Sequence, residues 1–216
     1  MSTDQAALSF EHLWSTIIAT QPPAVRAHLD LERGLAASVL SGYRALVEVG
    51  CADGSLLLPV ARRLGLDYLG LDLAGAAVAT TRAAGGAAVR ADVVDLGTLA
   101  LPAGPLLVAY PFNVFGNLPE PHRALAATAA AGADALVLTY RTDARAAAVR
   151  AEYYAACGLP GALTTDEAGV HFASGGFRSS VYHQEVLTAW LTSHGYQVTV
   201  APYGTAGLAY HATLTP

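Results

Sequence analysis

The ten residues Ala45-Leu46-Val47-Glu48-Val49-Gly50-Cys51-Ala52-Asp53-Gly54 decide the fold of this chain. Ala45–Gly50 is a short apolar run of strand length. The small residues at 50, 52 and 54 then let the backbone turn sharply and pass close to a ligand with little Cβ in the way. A helix is predicted near Leu56–Leu64, ended by Gly65, with Pro59 early in it. Strand, tight bend and helix in that order open an α/β sheet, whose ligands bind at the carboxyl ends of its strands.

Outward from this unit the same alternation continues. Strands are predicted at DYLGLD (Asp67–Asp72), at AAVRAD ending at Asp92, at PLLVAY ending at Tyr110 and at DALVLTY (Asp134–Tyr140). Helices are expected near Gly75–Ala84 and Pro121–Ala131, and from the cap Thr142-Asp143 to Cys157. A further helix, about Gln184–His194, precedes the closing strands YQVTVAPY and LAYHATL, which are joined by GTAG. The pattern predicts a Rossmann-like α/β fold: a seven-stranded, mostly parallel sheet with helices on both faces and an antiparallel C-terminal strand. Ahead of it, Phe10, Leu13, Trp14 and Ile17 recur on one helical face, and a second helix spans roughly Ala24–Leu40. The chain thus reads as one domain, with residues 1–41 a helical cap or lid and 42–216 the core. Gly161–Tyr182 reads as a long connection, of the kind that is usually functional or disordered.

Composition narrows the function. With 53% hydrophobic and 13% charged residues among 216, the chain can bury a continuous core. The longest apolar stretch, Leu99–Phe112, is broken by Pro102, Gly104, Pro105 and Pro111, so no membrane helix is expected. The polar, acidic start lacks the basic region of a secretory signal, which predicts a cytoplasmic protein. Cys51 and Cys157 are expected as reduced thiols, outside any metal-spaced cluster. A net charge of −5 without a basic run argues against a nucleic-acid partner. Every basic residue is arginine, which excludes a Schiff-base lysine and a phosphate loop ending in lysine.

The bend at 50–54 does not fit the dinucleotide fingerprint Gly-x-Gly-x-x-Gly, since Ala52 and Ser55 stand where glycine is required. It resembles instead the first motif of the class I S-adenosylmethionine-dependent methyltransferases, an acidic residue followed by Gly-x-Gly-x-Gly. Glu48, Gly50 and Gly54 match, and Ala52 replaces the middle glycine. The resemblance runs from about residue 43 to the end. It implies S-adenosyl-L-methionine as cofactor, with Asp72 holding the ribose hydroxyls and Asp92 meeting the adenine amino group. It further implies Cys51, Leu73, Val93, Pro111 and Asn113 as neighbours of the cofactor. A carboxylate can take both hydroxyls of a vicinal diol, each charge-assisted bond being worth roughly 1.5–3 kcal/mol. The competing reading of each aspartate is a helix N-cap, and Asp95 competes with Asp92.

The stretch Tyr110–Leu118 occupies the place of the family's fourth motif but lacks the Asn-Pro-Pro-Tyr signature of enzymes acting on nucleobase or amide nitrogens. The resemblance therefore implies a small-molecule acceptor, methylated on N or O, as in natural-product biosynthesis. Trp14, Phe112, Arg141, Phe172, Arg178 and Tyr182 are the candidate acceptor-binding residues. His171 is the first candidate base, His122 the second, with Tyr140 beside them. No metal is expected, and the protein is expected as a monomer or homodimer. Two other readings compete: a fold relative that catalyses a non-methylating step such as cyclisation, and a non-enzymatic protein that only binds the cofactor. A nicotinamide enzyme is the remaining alternative.

Overall fold

The computed structural model describes residues 14–215. Helical backbone at residues 14–19 (α1) leads to α2 (Pro23–Leu40). The alternating core follows as β1 (Ala45–Val49), α3 (Leu58–Leu64), β2 (Asp67–Asp72), α4 (Gly75–Ala83), β3 (Ala88–Arg90), β4 (Leu106–Tyr110), α5 (Pro121–Ala130), β5 (Asp134–Tyr140) and α6 (Ala144–Ala156). Three short strands, β6 (Leu163–Thr165), β7 (Gly169–Ser174) and β8 (Phe177–Tyr182), precede α7 (Gln184–Ser193), β9 (Tyr196–Tyr203) and β10 (Gly207–Leu214).

The main sheet has seven strands in the order β3-β2-β1-β4-β5-β10-β9. Pairing is parallel through β5, and β10 runs antiparallel to both its neighbours. Strand order reverses between β1 and β4, the place where an open α/β sheet leaves a crevice. Period-two alternation distributes the strand side chains to two cores. Val47, Val49, Val108, Tyr110 and Val137 pack under α5 and α7 with Leu125, Leu187 and Leu191. Leu46, Leu107, Leu136 and Leu138 pack on the other face against Ala36 and Leu40 of α2 and Val60 and Ala61 of α3. Helix α2 therefore forms part of the sheet's own cover. Pro202, which cannot donate to a ladder, lies on the edge strand β9.

Several expectations are corrected. Strand β3 ends at Arg90, so Asp92 stands beyond it and caps a 3₁₀ turn, Val93–Thr98, by accepting from the Val94 N–H at 3.1 Å. Helix α3 starts only at Leu58, because Pro59 fits the first turn, where its missing N–H is not needed. The stretch 161–182 is no loop: β6, β7 and β8 form a three-stranded antiparallel sheet. Its second hairpin turns at Gly175-Gly176, with φ of 54° and 90°. Phe172 and Phe177 anchor this sheet on Tyr153 and Tyr154 of α6. Phe10 and Leu13 lie outside the described residues. Among the described residues no helix is long and apolar enough to cross a membrane.

Candidate functional site

Two strained bends face each other across the crevice. After β1 the chain takes left-handed conformations at Gly50 (φ 69°), Ala52 (φ 48°) and Gly54 (φ 74°). A Cβ on Gly50 would stand 2.7 Å from Val114 Cγ2, so only glycine admits the second bend this closely. Ala52 holds a conformation that disfavours L-residues by roughly 1–2 kcal/mol. Asp72 is what steadies it. Its Oδ2 accepts from the Ala52 N–H at 3.0 Å, and its Oδ1 from the Ala74 N–H at 2.9 Å. The N–H groups of Gly50 and Cys51 both reach the Leu71 carbonyl, at 2.7 and 3.0 Å, which ties the bend to the end of β2.

After β4 two consecutive non-glycine residues, Phe112 (φ 47°) and Asn113 (φ 59°), are also left-handed. Such strain persists only where surroundings over-determine it, and it clusters at functional sites. Here the Phe112 N–H donates to the Glu32 carboxylate, and the Asn113 N–H to the Leu138 carbonyl at 2.9 Å. The Asn113 amide donates to Ser179 Oγ (3.0 Å) and to the Ser180 carbonyl (3.1 Å), and its oxygen accepts from the Thr139 hydroxyl.

Between the bends lies a cavity with an empty volume of about 1430 Å³ counted out to its mouth. Of the residues expected near the cofactor, Glu48, Gly50, Cys51, Ala52, Asp72, Leu73, Asp92, Val93, Pro111 and Asn113 line it. Gly54 does not, being buried behind the bend against Leu58 and Thr81. Asp95 is exposed and off the wall. Trp14, Phe112 and Tyr140 line the cavity too.

The remaining candidates stand elsewhere. His171 lies on β7, engaged by Ser180 Oγ at 2.9 Å and Asp166 Oδ1 at 2.8 Å. His122 is exposed on α5, its ring 4.3 Å from that of Trp190. Arg141 is exposed and paired with Asp143 at 2.7 Å. Arg178 faces solvent, Phe172 stacks on Tyr154 at 4.1 Å, and Tyr182 packs on Trp190 at 4.6 Å. His171, Phe172, Arg178 and Tyr182 left the cavity for one reason: the stretch assumed to be a loop is a sheet, and its register turns these side chains to other faces. Among the described residues the cavity wall holds no histidine.

Glu48 is buried at the crevice, where it accepts from the Tyr68 hydroxyl at 2.6 Å. Burial pushes its carboxyl up to about 8, against the lowering by Tyr68 and the Leu57 N–H. Three wall residues hold a buried polar atom with no partner among the described residues: Arg33 Nε, Asn117 Oδ1 and the Tyr140 hydroxyl. Leaving such a group unpaired costs about 1–3 kcal/mol, so each marks a place built for a ligand atom. With the Asp72 carboxylate on the same wall, two of them suit S-adenosylmethionine: the Asn117 amide oxygen for the adenine amino group and the Arg33 guanidinium for the terminal carboxylate, with Asp72 for the ribose diol. The sequence pointed to Asn113 instead of Asn117, and to neither Arg33 nor Ser179. Asn117 shares the quoted stretch after β4, but Arg33 and Ser179 reach the cavity through packing that no local pattern shows. Among the described residues no group of three or more His, Cys, Asp or Glu side chains could hold a metal.

The architecture is that of Rossmann-like methyltransferases, with the seven strands in that order and β10 reversed. Three solved structures illustrate it. The sugar N-methyltransferase KedS8 from Streptoalloteichus sp ATCC 53650 matches at a TM-score of 0.60 and 16% identity, over 87% of this chain and 88% of that one. Magnesium protoporphyrin IX methyltransferase from Synechocystis PCC 6803 with bound SAH matches at 0.62 and 12% identity, over 95% and 96%. The plantazolicin methyltransferase BamL, in complex with a triazolic desmethylPZN analog and SAH, matches at 0.65 and 10% identity, over 99% and 96%. No protein-family model and no curated protein matches the sequence.

Proposed function

We propose that this protein binds S-adenosylmethionine and transfers its methyl group to an N or O atom of a small molecule. The observation that carries this reading is one cavity at the strand-order reversal that brings the Asp72 carboxylate together with the unpartnered Asn117 Oδ1 and Arg33 Nε. Its fold neighbours support it, since proteins of this architecture include the sugar, porphyrin and plantazolicin methyltransferases named above.

When bound, the cofactor supplies an already activated methyl group. The chain's task is then to hold the acceptor in line with it and to exclude water. Asp72 holds the ribose, Asn117 and the Asp92–Val93 edge hold the adenine, and Arg33 faces the carboxylate. Pro111 and Phe112 would form the wall against which the acceptor is held. A neutral amine or an oxygen already ionised would need no base, so positioning supplies the rate.

Calorimetric titration with the methyl donor and with S-adenosylhomocysteine tests the binding. Asp72→Ala is expected to weaken both about 10- to 100-fold, the net worth of about one charge-assisted bond. Uptake of neither ligand at millimolar concentration would overturn the reading. Accumulation of S-adenosylhomocysteine with a suitable acceptor separates methyl transfer from mere binding.

A further inference from the structure

At the end of the cavity away from Asp72 and Asp92, the wall becomes aromatic: Phe112, Tyr140, Tyr153, Tyr154 and Phe177. Phe112 and Tyr153 stand 5.4 Å apart by ring centroids, and Tyr154 and Phe177 5.9 Å. Flat rings on several sides select a planar, largely apolar body.

Two hydroxyls at this end each keep a hydrogen to donate. Tyr140 is 2% exposed, and its hydroxyl has no partner among the described residues. Ser179, equally buried on the same wall, accepts at Oγ from the Tyr154 hydroxyl (2.7 Å) and from the Asn113 amide (3.0 Å). With its lone pairs filled, Ser179 retains one function, to donate its own hydrogen. No acceptor for that hydrogen is found among the described residues.

Behind these two hydroxyls lies Arg150, fully buried. Its Nη1 and Nη2 donate to the Val170 and Ser179 carbonyls at 3.1 and 3.0 Å, and its guanidinium lies 5.7 Å from the Tyr154 ring centre. Its Nε has no partner, and no carboxylate of the described residues pairs with it. The buried Glu32 does not serve, being engaged by His28, Tyr203 and the Phe112 N–H. A guanidinium stays charged when buried, and without a counter-charge it is costly. Burial holds the Tyr140 phenol well above its ordinary range; Tyr154 and Glu32 push the same way and Arg150 opposes, so Tyr140 remains a neutral donor within reach of the Arg150 field.

We propose that the acceptor is a planar aromatic acid, whose carboxylate accepts from the Tyr140 and Ser179 hydroxyls and balances Arg150. This rests on the methyltransferase reading, because it assigns this end of the cavity to the acceptor.

The test uses full-length protein saturated with S-adenosylhomocysteine, titrated by ligand-observed NMR with benzoate, benzamide and benzylamine. Benzoate is expected to bind about 10-fold more tightly than either of the others, as a charge-assisted bond exceeds a neutral one. Tyr140→Phe removes a hydroxyl that no protein group uses, so the fold should hold while benzoate binding falls about 10-fold. Ser179→Ala should act in the same direction. Benzylamine or benzamide equalling benzoate, or benzoate indifferent to Tyr140→Phe, overturns the proposal. So does the absence of any benzoate binding while S-adenosylhomocysteine binds. Failure of S-adenosylhomocysteine itself to bind would instead sink the methyltransferase reading.

Discussion

Glu48 is a carboxyl group in the wrong solvent. It sits inside β1 with Tyr68, the Leu57 N–H and the more distant Asp53 and Glu32 around it, and burial raises it from 4.5 to about 8. Between those two values the folded chain holds a proton that the unfolded chain has lost. Stability from this group is thus full below about pH 4.5 and declines as pH rises toward 8. The positive cofactor changes the sign: it favours the ionised form, so binding expels the proton and affinity rises with pH through the same window. Urea melts at pH 5.5 and 8 should show the first slope, and titrations in buffers of different ionisation enthalpy the second. Glu48→Gln should flatten both, and a wild-type protein lacking both slopes would refute the assignment. At this scale the place of Asp72 on the cavity wall was legible, because an acid at a strand's end after a small-residue bend is a local pattern. Asn117 and Arg33 were not, since what distinguishes them is a missing partner, a property of the packed structure alone.

Elements carry the strain and the closure of the site. Ala52 bears a left-handed backbone that glycine adopts freely, at the expense of extra freedom in the unfolded chain. Ala52→Gly should therefore be neutral to stabilising by up to about 1 kcal/mol, whereas Ala52→Val should lose about 2 kcal/mol or more. Urea midpoints measure both, and a strongly destabilised glycine variant would show that the bend is not strained. Segment α1 closes the cavity with Trp14 and Ile17, and it is fastened to α6 where the Tyr153 hydroxyl donates to the Ile17 carbonyl at 2.7 Å. Tyr153→Phe should weaken cofactor binding about 2- to 10-fold, the worth of one neutral hydrogen bond, with global stability little changed. Hydrogen exchange at residues 14–19 should rise with it; unchanged exchange would mean the tie does not hold the segment. The strands β1, β2, β4 and β5 were readable as apolar runs between helix-breaking residues. The β6–β8 sheet was not, because Ser179 and Ser180 interrupt its apolar alternation. One signal was available: Gly175-Gly176 is a two-residue hairpin turn in sequence.

Across the whole molecule, the cavity is assembled from residues as far apart as Trp14 and Ser179, on α1, α2, both bends, α6 and β8. A ligand seated there bridges segments far apart in the sequence, so its binding energy must appear in global unfolding. A ligand that binds only the folded state at 100 times its dissociation constant adds about 2.7 kcal/mol. For a chain of 216 residues each kcal/mol shifts Tm by about 2–4 °C, which predicts a rise of about 5–11 °C with S-adenosylhomocysteine. The calorimetric peak should move as one, without splitting, because the segments that the ligand bridges pack on one another as well as on the sheet. NAD at the same concentration should produce no rise, since Ala52 and Ser55 stand where a dinucleotide's phosphates need glycine. A shift with NAD and none with S-adenosylhomocysteine would reassign the cavity to a nicotinamide cofactor. A split peak would show that the helical segments ahead of β1 melt independently of the sheet they cover.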